Sequence, residues 1–578
     1  MAIIKSLYPE PPTAPDLNAH YSLFKRPDQA QWPADFTLHI DALTGEKRTY
    51  KEFLARVNDL ATALGGPAAD GCLGIGRPGE KIGIMMENSS DYVSLIHACL
   101  IITTPFVLIS SYSTPFELKH ALTLSQASHL VVDEKFLPVA LQVSAEIGLD
   151  ATKIYVGCGN ADGRRSIEDL VRHVRSKSIP FIGVKPAKRD TLAYLVFSSG
   201  TSGLPKAVMI SHGNIIYSLS QAAIVAMAAQ QVKARPPPPT PEGLPVVLAF
   251  LPLHHTYGLH TYSFRIFLAP MTLVFMKRWD IEVALTAIPR YSVTILALIP
   301  SIVHQLVHHP KFTKTDWSKI TSMGSGAAYL PPKLSAQLMK VMPKGVDFGE
   351  GYGMSEGTIA AITQPLPGTL GGRGKRIPGS TGILLPGVAA RIVKDDGGDA
   401  KVNEPGELWL QSDNVAIGYY NNEKANKETF VNGWLRTGDK FRVDKDGTFW
   451  FADRAKDTLK VSGAQVSPVE IENCLLANPD KLIIDASVAG VQGHGRTSDE
   501  KVPRAWIVLS SKGKKLGEKE AIRRLDRWIK KSLSKYKWVR GGYEVVDEIP
   551  KSPTGKVLRR VLVDKYENSL SEKVKAKL

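Results

Sequence analysis

The chain has 578 residues, 43% of them apolar and 22% charged, with a formal net charge of +16. Such a length exceeds one ordinary core, so several lobes are expected, and such a composition excludes a disordered chain. The longest apolar stretches are interrupted by His, Arg or Pro, so none reads as membrane-spanning, and the N-terminus lacks a secretory pattern.

The excess of Lys and Arg is compatible with nucleic acid, an anionic surface or anionic small substrates, but no nucleic-acid-binding motif is present. The densest basic stretches are Lys512 to Arg524 and Arg527 to Arg540, and the second reads as an amphipathic helix. Cys72, Cys99, Cys158 and Cys474 are far apart without metal-type spacing, which suggests free thiols in a reducing compartment.

In chain order, Tyr50 to Leu64 has the apolar spacing of an amphipathic helix. Apolar strands at Ile82 to Met86, Phe106 to Ile109, Leu130 to Val132 and Ile154 to Val156 alternate with helical runs such as Tyr92 to Leu100. That alternation predicts α/β layers around a largely parallel sheet. The apolar run Tyr194 to Phe197 then empties into Ser198-Ser-Gly-Thr-Ser-Gly203, followed by Leu204, Pro205, Lys206 and a second apolar run, Ala207 to Ile210. Gly200 and Gly203 free the backbone, and converging N–H groups with the hydroxyls of Ser198, Ser199, Thr201 and Ser202 can grip an anion. Lys206 adds a point charge. It is not a Walker A loop, because Pro205 precedes the lysine and Ala207 follows it. Taken alone, Ser198 to Gly203 is equally a flexible hairpin loop.

Asn214 to Ala229 is expected to be helical, and Pro236 to Pro239 to form an exposed extended insertion. Strand Val246 to Phe250 delivers Leu251-Pro-Leu-His-His-Thr-Tyr-Gly-Leu259, where His255 could be an acid/base, a metal ligand, a gate, or simply structural. Small residues at Gly324 to Ala328 let a ligand approach the backbone. In Gly351-Tyr-Gly-Met-Ser-Glu356, Tyr352 offers a face for stacking, Ser355 a hydroxyl donor and Glu356 a hard oxygen ligand. Pro378 to Gly387 and Gly406 to Gln411 read as turns and short strands of a β-rich region. Thr437-Gly-Asp439 reads as a turn.

These strings, in this order and spacing, closely resemble the adenylate-forming superfamily: acyl-CoA synthetases, 4-coumarate–CoA ligases, luciferases and peptide-synthetase adenylation domains. The resemblance spans nearly the whole chain. It departs at Ala207, where Gly is usual, at His254, where an aromatic is common, at Tyr329 in place of Pro, and at Glu350 in place of Gln. Residues 358–360 also differ from the coumarate ligases. The resemblance implies an α/β fold with a large N-terminal domain of layered α/β subdomains plus a β-rich subdomain. A small mobile α+β C-terminal domain follows. The boundaries expected are an AMP-binding domain over residues 1–453, a hinge at 454–456 and a C-terminal domain over 457–578.

It further implies ATP, Mg²⁺ and coenzyme A as reactants and cofactor. Residues 198–203 and Lys206 would hold the β- and γ-phosphates, Tyr352 the adenine, Ser355 the α-phosphate or carboxylate, and Glu356 the Mg²⁺. Asp439 and Arg454 would hold the ribose, and Lys456 would be the hinge. Lys460, Gly463 and Gln465 would face the site after rotation, and Lys556 would bind the reacting carboxylate and α-phosphate. His255 would border an acyl pocket lined by Tyr257, Thr261, Gly326, Ala327, Ile359 and Ala360. The implied activity is an acid–CoA ligase acting on an aryl, phenylpropanoid-like or medium-chain acid. The alternative is a luciferase-like adenylate oxidase or another adenylate-forming enzyme with a different acceptor. The terminal Ala576-Lys577-Leu578 is a close variant of the Ser-Lys-Leu peroxisomal address and would engage an import receptor.

Overall fold

A computed structural model describes residues 3–575 except 162, 199–203, 234–236, 308, 328–329, 331, 395, 455–458, 462–463, 467, 494–500 and 551–558. The chain forms two compact units. The first comprises Met1–Ser111, Ala121–Phe197 and Ala207–Asp453, and the second Tyr112–His120, Ser198–Lys206 and Arg454–Leu578.

The first unit contains three sheets. A seven-stranded sheet runs Gly418–Tyr419, Lys206–Ser211, Leu192–Ser198, Phe106–Leu108, Ile82–Met85, His129–Val132, Ile154–Val156. From Leu192–Ser198 onward its pairings are parallel. A nine-stranded sheet runs Ile383–Leu384, Ile362–Thr363, Asp347–Tyr352, Ser322–Ser325, Ile295–Leu298, Val246–Ala249, Thr272–Phe275, Thr37–Asp41, Lys47–Thr49. Its middle is parallel, and its outermost pairings are antiparallel. Ile82–Met85, His129–Val132, Val246–Ala249 and Thr272–Phe275 are buried at every position. Strands covered on both faces read as continuous apolar runs for that reason. The third sheet, six-stranded, is built on Ala389–Val393, Gly406–Gln411 and Trp434–Val443, paired antiparallel. This is the β-rich region expected from the sequence.

Local signals start the helices. Thr49 and Glu52 form a capping box for Tyr50–Gly65, and Ser211 and Asn214 do the same for His212–Val232. Each box satisfies two N–H groups that the first helical turn leaves free. The helix His212–Val232 is long and apolar enough to cross a membrane by length and composition, but its first part, His212 to Leu219, is buried in the core. The four cysteines are free, with only Cys158 exposed.

In the second unit, Ile483–Gln492, Lys501–Leu509 and Tyr543–Val545 form a three-stranded sheet. Helix Glu518–Ser532 packs on its core through Ala521, Leu525 and Ile529. Lys537 is buried there between Glu117 Oε1 at 2.7 Å and Glu470 Oε1 at 2.9 Å. Burial penalises its charge, but the two carboxylates outweigh that and hold its pKa well above the ordinary lysine value.

Candidate active site

Val246–Ala249, Ile295–Leu298, Ser322–Ser325 and Asp347–Tyr352 are successive parallel strands, so their carboxyl ends share one rim. Open α/β sheets bind ligands outside that rim. The segments that leave it carry the residues that the sequence assigned to the acyl pocket, together with Tyr352, Ser355 and Glu356.

After Val246–Ala249 the chain passes through His254 and His255, whose rings are tilted by 51° with centroids 4.6 Å apart, into a short helix, Thr256–Leu259. Gly258 is required here, since a Cβ would lie 2.3 Å from the Pro252 carbonyl oxygen. A π-helical turn, His260–Phe264, follows, and Thr261 sits on it half-buried. Tyr257 lies across from the Ser322–Ser325 strand end. A Cβ built on Gly326 would meet its Cε1 at 3.5 Å, and one on Gly324 its hydroxyl at 3.9 Å. Tyr257 and Gly326 are therefore brought together, with Ala327 next in the chain.

The loop after Asp347–Tyr352 is the most tightly constrained part of the site. Ser355–Gly357 is a single 3-10 turn. Thr358 follows at φ 63°, and Ala327 on the neighbouring loop stands at φ 68°. A β-branched residue in that region is an outlier, and such strain persists only where surroundings impose it. Here Asn414 imposes it: its Nδ2 donates to the carbonyls of Gly357 at 2.9 Å and Ala360 at 3.3 Å. The Thr358 hydroxyl donates to the Asn414 carbonyl. Asn414 is 2% exposed, so truncation leaves carbonyls unpaired. Asn414→Ala is expected to lower stability by about 1–3 kcal/mol, read as the shift of the chemical denaturation midpoint. Ile359 is buried and Ala360 half-buried on this loop.

The Tyr352 hydroxyl donates to Asp439 Oδ2 at 2.8 Å, and its ring meets Phe441 edge-on at 4.8 Å. Asp439 was expected in a turn but lies inside the strand Trp434–Val443. The pairing with Gly406–Gln411 shifts register between Glu407 and Trp409, and Gly438 takes φ 71°. That irregularity absorbs the turn-favouring glycine within the ladder. Ser355 is half-buried, and Glu350 has its carboxyl pushed up to about 7 by burial.

Glu356 is 5% exposed, and its Oε1 accepts a hydrogen bond from the Tyr419 hydroxyl at 2.8 Å. Burial, then the Glu356 charge, raises the Tyr419 pKa far above its ordinary value, so the hydroxyl stays a donor. No cluster of three or more potential metal-ligating side chains occurs among the described residues. A lone, oriented carboxylate still fits Mg²⁺, which takes one or two carboxylates and completes its shell with phosphate and water.

In the second unit, Ser198 ends one strand and Lys206 begins another. Lys460 and Gln465 occupy directly opposed positions of the hairpin Leu459–Val461 with Ala464–Val466. Arg454 closes the strand Phe449–Arg454. Ser199, Gly200, Thr201, Ser202, Gly203, Lys456, Gly463 and Lys556 lie outside the described residues, as do Ala576, Lys577 and Leu578. The sequence did not single out Asn414 or Arg265. Nor did it single out Tyr419, since only the contact with Glu356 gives that residue a role.

Residues 27–420 match the AMP-binding enzyme family, and residues 470–556 match its C-terminal domain. Acyl-CoA synthetase 7 of Caenorhabditis elegans is 31% identical over 455 residues, 78% of this chain and 79% of that protein. Probable 4-coumarate–CoA ligase 1 of Dictyostelium discoideum is 30% identical over 512 residues, covering 84% and 86%. Among solved structures, a double mutant of o-succinylbenzoate CoA synthetase from Bacillus subtilis superposes with a TM-score of 0.72 at 24% identity, covering 94% of this chain and 97% of that one; this likeness speaks for the fold. With its motifs in order on the rim of a parallel sheet and both family domains matched, the chain belongs to the AMP-binding enzyme family of adenylate-forming enzymes.

Proposed function

We propose that the acid activated by this ATP-dependent, AMP-forming CoA ligase is an aryl, phenylpropanoid-like or medium-chain carboxylic acid. The observation that carries this reading is the wall formed by Tyr257 against Gly324 and Gly326. An aromatic ring packed on bare backbone makes a flat wall, which suits a flat or slender acyl group lying along it rather than a bulky one. Thr261, Ala327, Ile359 and Ala360 complete it, with His255 at its border.

In the first half-reaction a carboxylate oxygen attacks the α-phosphorus of ATP, and the bond to the pyrophosphate oxygen breaks. Two anions must meet, so the barrier is electrostatic. Residues 198–203 and Lys206 hold the leaving phosphates, Ser355 donates to the α-phosphate or carboxylate, and Lys556 places a cation on the attacking carboxylate. Glu356 would hold Mg²⁺, whose charge would offset that of the phosphates. Tyr352 and Asp439 hold the nucleoside, with Arg454 beside the ribose. In the second half-reaction the small domain, residues 457–578, turns about Lys456 and brings Lys460, Gly463 and Gln465 to the site. The CoA sulfur then attacks the acyl carbon and AMP leaves with the bonding electrons.

Purified protein supplied with MgATP and a panel of acids should release pyrophosphate only when an acid is present, and form a thioester only when CoA is added. Absence of both across the panel would sink the reading. Tyr352→Phe is expected to raise KM for ATP about tenfold, because it removes a hydrogen bond to a charged group that orients Asp439; an unchanged KM would separate that hydroxyl from nucleotide binding. Ala576-Lys577-Leu578 is proposed as a peroxisomal import address. A fluorescent fusion ending in these residues should be punctate, and should become diffuse when they are deleted.

A further inference from the structure

Arg265 follows the π-helical turn His260–Phe264, and its backbone N–H donates to the His260 carbonyl across the wide turn. Single π-turns of this kind collect at functional sites. Its side chain sits within the first unit, where burial brings the guanidinium pKa down to about 10, and among the described residues Tyr257 alone acts in the opposite direction. The Tyr257 phenol is pushed up to about 12 by burial, with Arg265 as the lowering influence. It is therefore neutral at physiological pH and supplies no countercharge.

His260 is likewise held neutral, first by burial and then by Arg265. Its Nε2 pairs with the Tyr194 hydroxyl at 2.7 Å. Among the described residues Arg265 Nε is buried without a hydrogen-bond partner, and the same turn carries two more such atoms, His260 Nδ1 and Ser263 Oγ. Arg265 and Tyr257 are each only partly buried as whole residues, so part of each side chain stays open to a ligand.

A partly buried cation with a buried, unpartnered Nε and no carboxylate among the described residues is unfavourable, and its removal would be expected to help the fold. Its presence beside the ring that walls the acyl slot points to a ligand that brings the missing charge. The planar fork of a guanidinium fits a carboxylate through two parallel hydrogen bonds. Resting on the ligase reading above, we propose that the substrate is a dicarboxylic acid: one carboxylate is adenylated, and the second, at the far end of the acyl group, is received by Arg265 beyond Tyr257. Arg265 is then the residue that selects the substrate.

The test compares matched acids with the full-length enzyme: octanoate against octanedioate, and 3-phenylpropanoate against 3-(4-carboxyphenyl)propanoate. Within at least one pair, kcat/KM for CoA-thioester formation should favour the dicarboxylate by about tenfold or more. Arg265→Met should collapse that ratio by about tenfold to a hundredfold, and Arg265→Lys should keep part of it. Because no partner is stranded, Arg265→Met should melt at or above the wild-type temperature; Arg265→Gln provides a second neutral variant. The binding arm is independent of turnover: the preferred dicarboxylate alone should raise the melting temperature of wild type but not of Arg265→Met. Wild-type preference for the monocarboxylate in both pairs, or a ratio indifferent to both neutral variants, overturns the proposal. If no acid yields a thioester, the ligase reading falls, and the melting shift alone decides whether Arg265 receives a carboxylate.

Discussion

Gly353→Ala is expected to abolish activity. A Cβ at this position would lie 1.6 Å from the Ile359 carbonyl oxygen and 2.7 Å from the Ala360 Cα. Both are backbone atoms, so no rotamer change can make room. The loop cannot swing aside, because Asn414 holds the carbonyls of Gly357 and Ala360 and Ala361 N–H is bonded to the Tyr352 carbonyl at 2.9 Å. Overpacking that the chain cannot absorb costs about 3 kcal/mol or more. The displacement falls on the segment that carries Tyr352, Ser355 and Glu356, where a shift of about 1 Å costs roughly a hundredfold in rate. Three displaced groups should bring acid-dependent pyrophosphate release down by more than about a thousandfold, with a lowered melting temperature. Activity within tenfold of wild type would show that the loop tolerates what this geometry forbids.

Acid should unfold the first unit between pH 6.5 and 4. His97 and His212 are fully buried, and burial takes each imidazole down to about 4. The hydrogen bonds agree with neutral rings. His212 Nδ1 accepts from the Ala19 N–H at 2.9 Å, a role that a protonated nitrogen cannot fill. His97 Nε2 is engaged with the Ser263 carbonyl at 2.8 Å, and its Nδ1 faces His20 Nδ1 at 3.2 Å, so one proton serves both facing nitrogens. Phe24, Phe53, Phe264 and Phe267 surround His97 and offer no countercharge.

The folded values lie below the unfolded value of about 6.5. Stability is therefore complete above pH 6.5 and is lost as the pH falls towards 4, because the unfolded chain binds the protons first. Each ring contributes on the order of 3 kcal/mol over that window, a large share of a typical total. The urea midpoint should hold steady from pH 8 to 7 and drop steeply by pH 4.5, with a shallower drop in His212→Asn. A midpoint flat from pH 7 to 4.5 would contradict the account.

The strands and the loops that leave them were legible because their causes are local. A run such as Ile82 to Met86 can only be satisfied between two covering layers, and the small residues from Gly324 to Ala328 leave the backbone open to close approach whatever the partner. Thr437-Gly-Asp439 misled for the same reason: turn propensity is local, whereas the neighbouring strand Gly406–Gln411, with its register shift, decides the outcome. The site's supports were not legible. Tyr352 and Asp439 are 87 residues apart, and Asn414 reaches back 57 residues to Gly357. Arg265 reads from sequence as one more cation in a basic chain; only its depth, and the lack of a partner for its Nε, set it apart.

The wall opposite Tyr257 is made of backbone. A methyl group added at Gly324 or Gly326 would meet its neighbours at 3.5–3.9 Å, ordinary contact distances. Both positions can therefore gain volume without disturbing the fold, and that volume is taken from the space beside Tyr257, where the acyl slot is proposed. On that proposal, substrate range is adjustable one residue at a time at constant stability. A lineage carrying this scaffold could exchange one acid for another without passing through an unfolded intermediate sequence.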